Sequence, residues 1–114
     1  MEIITDKIST AKLKKKAAKM FGNLVKAVVD IEKKIMAING ELHADEQALL
    51  LENGSKQENL WGINIYPDKS GEDFVEFDSV INIKPSQQNR SRGVDNPEIR
   101  KKVLAIVNKL VEGR

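Results

Sequence analysis

Apolar residues recur along this chain at two different spacings, and the changes between them mark the elements. Ile3 and Ile4 predict a short edge strand. Ser9 is placed as an N-cap, and Leu13, Ala17, Met20 and Phe21 follow at helical spacing with lysines between them. Gly22-Asn23 is the expected stop. Residues 24–38 fit two templates. Leu24, Val28, Ile31, Ile35 and Ile38 make a helical stripe, while Val25, Ala27, Val29 and Ile31 alternate as in a strand. The density of β-branched residues and the Asn39-Gly40 pair favour strands at about 24–31 and 34–38, turning near Glu32-Lys33. A return strand is then expected from Glu41. One long helix over 24–38 is the competing reading.

Asp45 is expected to cap a helix reaching about Asn53, with Ala48, Leu49, Leu50 and Leu51 as its apolar side and Gly54 just past its end. Residues 60–66 alternate, with Trp61, Ile63 and Ile65 opposite Gly62, Asn64 and Tyr66. After a polar connection at 67–71, residues 74–84 alternate again. Val75, Phe77, Ser79, Ile81 and Ile83 face one way, and Glu76, Asp78, Val80 and Asn82 the other. Asn96 caps the last helix, Pro97 opens it, and Ile99, Val103, Ile106, Val107 and Leu110 form its stripe. The pattern predicts one α+β domain over 1–114. Its sheet is mainly antiparallel, of four to five strands, with N-terminal, middle and C-terminal helices packed on one face.

Composition narrows the chemistry. The 114 residues include no cysteine and one histidine, which excludes disulfides, thiolate nucleophiles and cysteine-based metal sites. No apolar run approaches the roughly 18 residues of a membrane helix. The first residues carry acids and lack the apolar core of a signal peptide, so no membrane partner and a cytoplasmic location are expected. No phosphate-loop or dinucleotide motif is present, and no cofactor is called for.

The net charge of +2 hides an uneven layout. Residues 1–38 hold nine lysines and four acids, residues 39–80 two lysines and ten acids, and residues 81–114 eight cations and three acids. Such basic ends can form a face for an anionic partner or simply be solvated helix surfaces.

Three places could carry function. The loop at 85–94 packs Arg90 and Arg92 among Ser86, Gln87, Gln88, Asn89 and Ser91, with Gly93 beside them. Guanidinium forks and neutral donors suit phosphate oxygens, and the loop is longer than most connections. The competing reading is a crossover paired with the acidic middle of the chain. The second place is Glu41, His43 and Asp45, which share one face if that segment is extended. Glu76 and Asp78 could join them in binding a divalent metal or in acid–base work. Otherwise these residues simply begin a helix. The third is Trp61, either a stacking platform with the loop or, in phase with Ile63 and Ile65, part of the core. Phe21, Phe74 and Phe77 sit at apolar positions, which weighs against base stacking.

Glu41-Leu42-His43-Ala44-Asp45-Glu46, Gly54-Ser55-Lys56-Gln57-Glu58-Asn59-Leu60-Trp61-Gly62 and Ile81-Asn82-Ile83-Lys84-Pro85-Ser86-Gln87-Gln88-Asn89-Arg90-Ser91-Arg92-Gly93 together resemble a small family of uncharacterised prokaryotic proteins, a domain of unknown function. The resemblance spans essentially the whole chain. It implies a soluble microbial protein and carries over no activity or catalytic residue.

Three functions follow as expectations. The first is an anion-binding module, taking a phosphate-bearing ligand or nucleic acid on the 85–94 loop with help from Lys101 and Lys102. The second is a metal-assisted phosphoester hydrolase using His43, Asp45 and Asp78 with the two arginines. The third is a homodimeric structural protein joined by a sheet edge or by the face bearing Asn64, Glu76 and Asp78.

Overall fold

The β-branched stretch at 24–38 forms a hairpin and not a helix. In the computed structural model, which describes residues 1–113, β3 (Val25–Asp30) pairs antiparallel with β4 (Ile35–Ile38). The side chain of Asp30 makes the turn. One oxygen accepts from the backbone N–H of Glu32 and Lys33 at 2.9 and 3.0 Å, and the other accepts from the Ser55 hydroxyl at 2.6 Å. Lys34 takes the left-handed conformation that closes it.

The sheet has five strands in the order β1-β4-β3-β5-β6. The edge strand β1 (Glu2–Ile4) pairs with β4, and β5 (Leu60–Ile65) pairs with β3 over its whole length. On the other edge β6 is two residues long, Val75–Glu76. All neighbouring pairs in this sheet are antiparallel. A small parallel pair joins β2 (Ile8–Ser9) to β7 (Val111–Glu112), tying the entry of α1 to the exit of α3.

The fold is α+β, with α1 (Thr10–Lys19), α2 (His43–Glu52) and α3 (Pro97–Leu110) as N-terminal, middle and C-terminal helices. Expected together on one face, they divide between two. Leu13 and Ala17 of α1 and Val103, Ile106, Val107 and Leu110 of α3 pack with Ala27, Val29, Trp61 and Ile63. Leu50 of α2 packs on the reverse with Val28, Ala37 and Leu60. Period-two alternation along β3 sends its residues to both layers in turn. Every residue of β5 is therefore buried, as in a strand covered on both faces.

The caps of α1 and α3 follow the sequence. Ser9 accepts from the Lys12 N–H at 3.1 Å and Asn96 from the Glu98 N–H at 2.9 Å. Three other readings are corrected. No return strand starts at Glu41. Of the Asn39-Gly40 pair only Asn39 takes a left-handed φ, and the chain bends straight into α2, whose first residue is His43 and whose N-cap is Leu42, not Asp45. Gly40 is packed so closely that a Cβ there would lie 2.7 Å from Glu46 Cγ.

Nor is 74–84 a long strand. After a 3-10 turn at Gly71–Phe74, pairing lasts for Val75–Glu76 only, and a second 3-10 turn follows at Val80–Asn82. The physical reason is Asn82, which turns inward and takes the backbone of Gly62 in place of a strand. Among the described residues no helix is long and apolar enough to cross a membrane.

Candidate functional site

His43 opens α2 and points at the sheet. Its Nε2 lies 2.8 Å from the carbonyl oxygen of Ile63, which can only accept, so Nε2 carries the proton and Nδ1 the lone pair. The residue is 8% exposed. Burial, foremost, holds its pKa below the ordinary value, with Lys26 and Arg92 adding to the effect and the Ile63 bond and Asp78 opposing it. His43 is therefore neutral at pH 7. Asp78 and Arg92 lie within electrostatic range of it and pair with each other, Arg92 Nε donating to Asp78 Oδ1 at 2.6 Å.

Asp45 does not join this group. Two positions along a helix are about 200° apart, so the face shared by Glu41, His43 and Asp45 in an extended segment does not exist here. Asp45 instead lines a depression with Met1, Met20, Gly40 and Glu41. Among the described residues no three His, Asp or Glu side chains are grouped to hold a metal ion. Glu76, the other acid proposed for such a group, accepts from Asn64 Nδ2 at 2.8 Å and from the Tyr66 hydroxyl at 3.0 Å.

The loop at 85–94 uses most of its polar groups to hold itself. Asn89 is buried at its centre. Its Nδ2 donates to the carbonyls of Asn82 at 2.7 Å and Gly93 at 2.8 Å, and its Oδ1 accepts from the Asp95 N–H at 2.8 Å. Its backbone bonds Lys84 in both directions. Ser91 donates to Asp95, Gln87 to the Glu58 carbonyl, and Arg92 to Asp78. Ser86, Gln88 and Arg90 remain exposed at the surface.

Trp61 is 1% exposed and packs within the larger core cluster, so its ring is no platform for a ligand. Lys84 lies against it, with Nζ 4.3 Å from the ring centroid. The same ammonium donates to the carbonyls of Gln57 and Leu60, each at 2.6 Å. Burial pulls its pKa down to about 8, with the charge of Glu58 opposing.

The fold gathers charge that the sequence shows only as a division into thirds. α1 carries Lys12, Lys14, Lys15, Lys16 and Lys19 with no acid, and it lies on the same face of the sheet as α3, which sets Arg100, Lys101, Lys102 and Lys109 against Glu98. Lys12, Lys15, Lys16 and Lys19 rim a depression of about 310 Å³ with Glu2. Lys16 pairs with Glu2 at 3.4 Å and Lys14 with Asp68 at 3.5 Å. Lys12, Lys15 and Lys19 have no ion pair among the described residues. The opposite face carries α2, with Asp45 and Glu52 exposed, Glu46 buried, and neither lysine nor arginine.

A family model described as "Protein of unknown function (DUF5674)" matches residues 2–110. No curated protein and no solved structure matches the chain.

Proposed function

We propose that this chain, which belongs to the DUF5674 family, is an anion-binding module whose partner is the phosphate backbone of a nucleic acid. The observation that carries the reading is the placement of two basic helices, α1 and α3, in one layer, with Lys12, Lys15 and Lys19 unpaired and around one depression. Clustered lysines attract polyphosphate by displacing its counterions, and at this depression four lysines stand against one acid, Glu2. The acidic α2 lies on the other side of the sheet, so the molecule is polarised and presents one face to the partner.

The 85–94 loop plays a smaller part than its composition suggests. Its arginines add one exposed cation, Arg90, while Arg92 is engaged by Asp78. With Trp61 buried no base stacks on it, and the lysines read phosphate, so binding is independent of sequence.

Fluorescence anisotropy with a labelled duplex and a labelled single strand, across a salt series, tests this. Affinity should fall steeply with salt. The triple variant Lys12→Glu, Lys15→Glu, Lys19→Glu should weaken binding by more than about tenfold. On a duplex it should also flatten the salt slope by roughly 0.9 for each phosphate no longer neutralised. Absence of binding at low salt overturns the reading. Loss of binding in Arg90→Ala with the lysine variant unaffected moves the site back to the loop.

A further inference from the structure

The largest groove described on the molecule, about 690 Å³, runs between β6 and α3 and touches none of the α1 lysines. Its helical wall is built from residues 97, 100, 101, 104 and 108, which recur along one side of α3. At 1.5 Å per residue that wall is about 16 Å long. Val75, Phe77, Pro97 and Leu104 give it apolar surface, and Arg100 and Lys101 stand along the helical rim. Glu72 lines the same groove, so two cations stand there against one acid.

The strand wall of this groove is the open edge of the sheet. β6 is the last strand, and its pairing with β5 fixes which backbone groups point where. Tyr66 N–H donates to the Phe74 carbonyl at 2.9 Å, and Val75 stands opposite Ile65, one residue along. In an antiparallel ladder bonded and non-bonded pairs alternate. The N–H and C=O of Val75 therefore point away from β5, and among the described residues nothing bonds them. Val75 also lines the groove, so an unpaired donor and acceptor lie beside apolar surface and fixed positive charge.

We propose that this groove binds an extended peptide segment bearing acidic side chains, which adds to β6 as a short parallel or antiparallel strand. At about 3.3 Å per residue, a 16 Å groove takes about five residues. Main-chain bonds to Val75 supply the pairing, and alternate side chains rest on Phe77 and Leu104. An intervening carboxylate meets Arg100 and Lys101, whose positive charge selects an acidic over a basic segment. The brevity of β6 prevents open-ended strand addition, so the site accepts a short segment without inviting aggregation.

The experiment uses the full chain and two labelled synthetic peptides, one alternating valine with glutamate and one alternating valine with lysine. The acidic peptide should bind at least about tenfold more tightly, a difference of 1.4 kcal/mol. Amide exchange at Val75 N–H should slow when it does. Leu104→Glu should abolish binding, and the pair Arg100→Glu, Lys101→Glu should reverse the preference between the peptides. Arg100 and Lys101 are exposed, so their charge reversal leaves the core untouched and is the decisive variant, whereas Leu104 is half-buried against the core and its variant is checked by circular dichroism.

The triple α1 variant should keep the peptide while losing the oligonucleotide, so the two proposals fail separately. Three results overturn this one. Neither peptide binds, or the acidic peptide binds with Val75 exchange unchanged, or a fatty carboxylate such as dodecanoate fills the groove while both peptides are rejected.

Discussion

The side chain of Asn82 pairs with both backbone groups of Gly62, its Oδ1 accepting from the N–H at 2.7 Å and its Nδ2 donating to the C=O at 2.9 Å. An amide has the same donor and acceptor as a peptide unit, so Asn82 continues the β5 edge where β6 has ended. The same Nδ2 donates to the Arg92 carbonyl at 2.9 Å and so fastens the 85–94 loop to the sheet. The close approach needs Gly62 itself, because a Cβ there would lie 2.6 Å from the Cβ of Ser79.

Asn82→Leu should therefore destabilise the fold by about 2–4 kcal/mol, since buried backbone groups lose their partners together. Asn82→Asp should do no better. A carboxylate can accept from the Gly62 N–H but faces the Gly62 and Arg92 carbonyls with no donor. Urea unfolding of the two variants checks this; a midpoint within error of wild type for Asn82→Asp would show that the amide donor is unimportant.

Glu46 predicts a pH dependence. It is fully buried, with Oε2 accepting from the Gly40 N–H at 2.9 Å and Oε1 without a partner. Burial, the largest influence, raises its pKa to about 9, against the Gly40 bond and Lys26, which lower it. Between the ordinary carboxyl value of 4.5 and about 9 the folded chain holds a proton that the unfolded chain has released. The stabilisation is thus complete below pH 4.5 and is lost as pH rises toward 9. Glu46→Gln, which copies the protonated form, should raise the melting temperature at neutral pH and flatten this decline. A variant no more stable at pH 8 than at pH 5, relative to wild type, would contradict it.

How far the fold could be read depended on whether local pattern and distant contact agreed. The β3–β4 hairpin was legible because its alternating β-branched residues need both sheet faces, and α3 because Asn96, Pro97 and Glu98 mark its start. Asn39-Gly40 misled because the Gly40 N–H is held by Glu46, a contact that draws the chain into α2. The alternation over 74–84 describes a strand equally well until Asn82 finds Gly62 from 20 positions away. The loop's amides and hydroxyls were rightly read as hydrogen-bonding groups, but composition does not say whether their partners lie in the same chain. The basic thirds were visible in the sequence, and only the topology puts α1 and α3 on one face.

Asn89 should act with Asn82 and not independently of it. Its Nδ2 donates to the Asn82 carbonyl at 2.7 Å, while each amide also holds a carbonyl of the same loop, Gly93 and Arg92. Asn89→Ala should cost about 2–4 kcal/mol by the same loss of buried partners. The double variant Asn82→Ala, Asn89→Ala should cost less than the sum of the single ones, by about 0.5–3 kcal/mol, as contacting residues in one network do. Strict additivity in a double-mutant cycle would show that the loop is held by two separate fasteners.

Lys84 acts on stability in the direction opposite to Glu46, in a different window. Its folded pKa is depressed to about 8 from the ordinary 10.5, so between these values the unfolded chain binds the additional proton. Its contribution is full above pH 10.5 and is lost as pH falls through about 8. A neutral amine keeps two N–H donors, enough for the Gln57 and Leu60 carbonyls, so deprotonation removes the buried charge without breaking either bond. From these two groups, stability should decline from pH 4.5 to about 8, stay level to about 9 while the slopes oppose, and recover toward 10.5. Lys84→Met should lower stability throughout by leaving both carbonyls without this donor, and should also remove the alkaline recovery. Thermal melts of wild type, Lys84→Met and Glu46→Gln from pH 5 to pH 10 separate the contributions. A recovery that survives in Lys84→Met would assign it to another group.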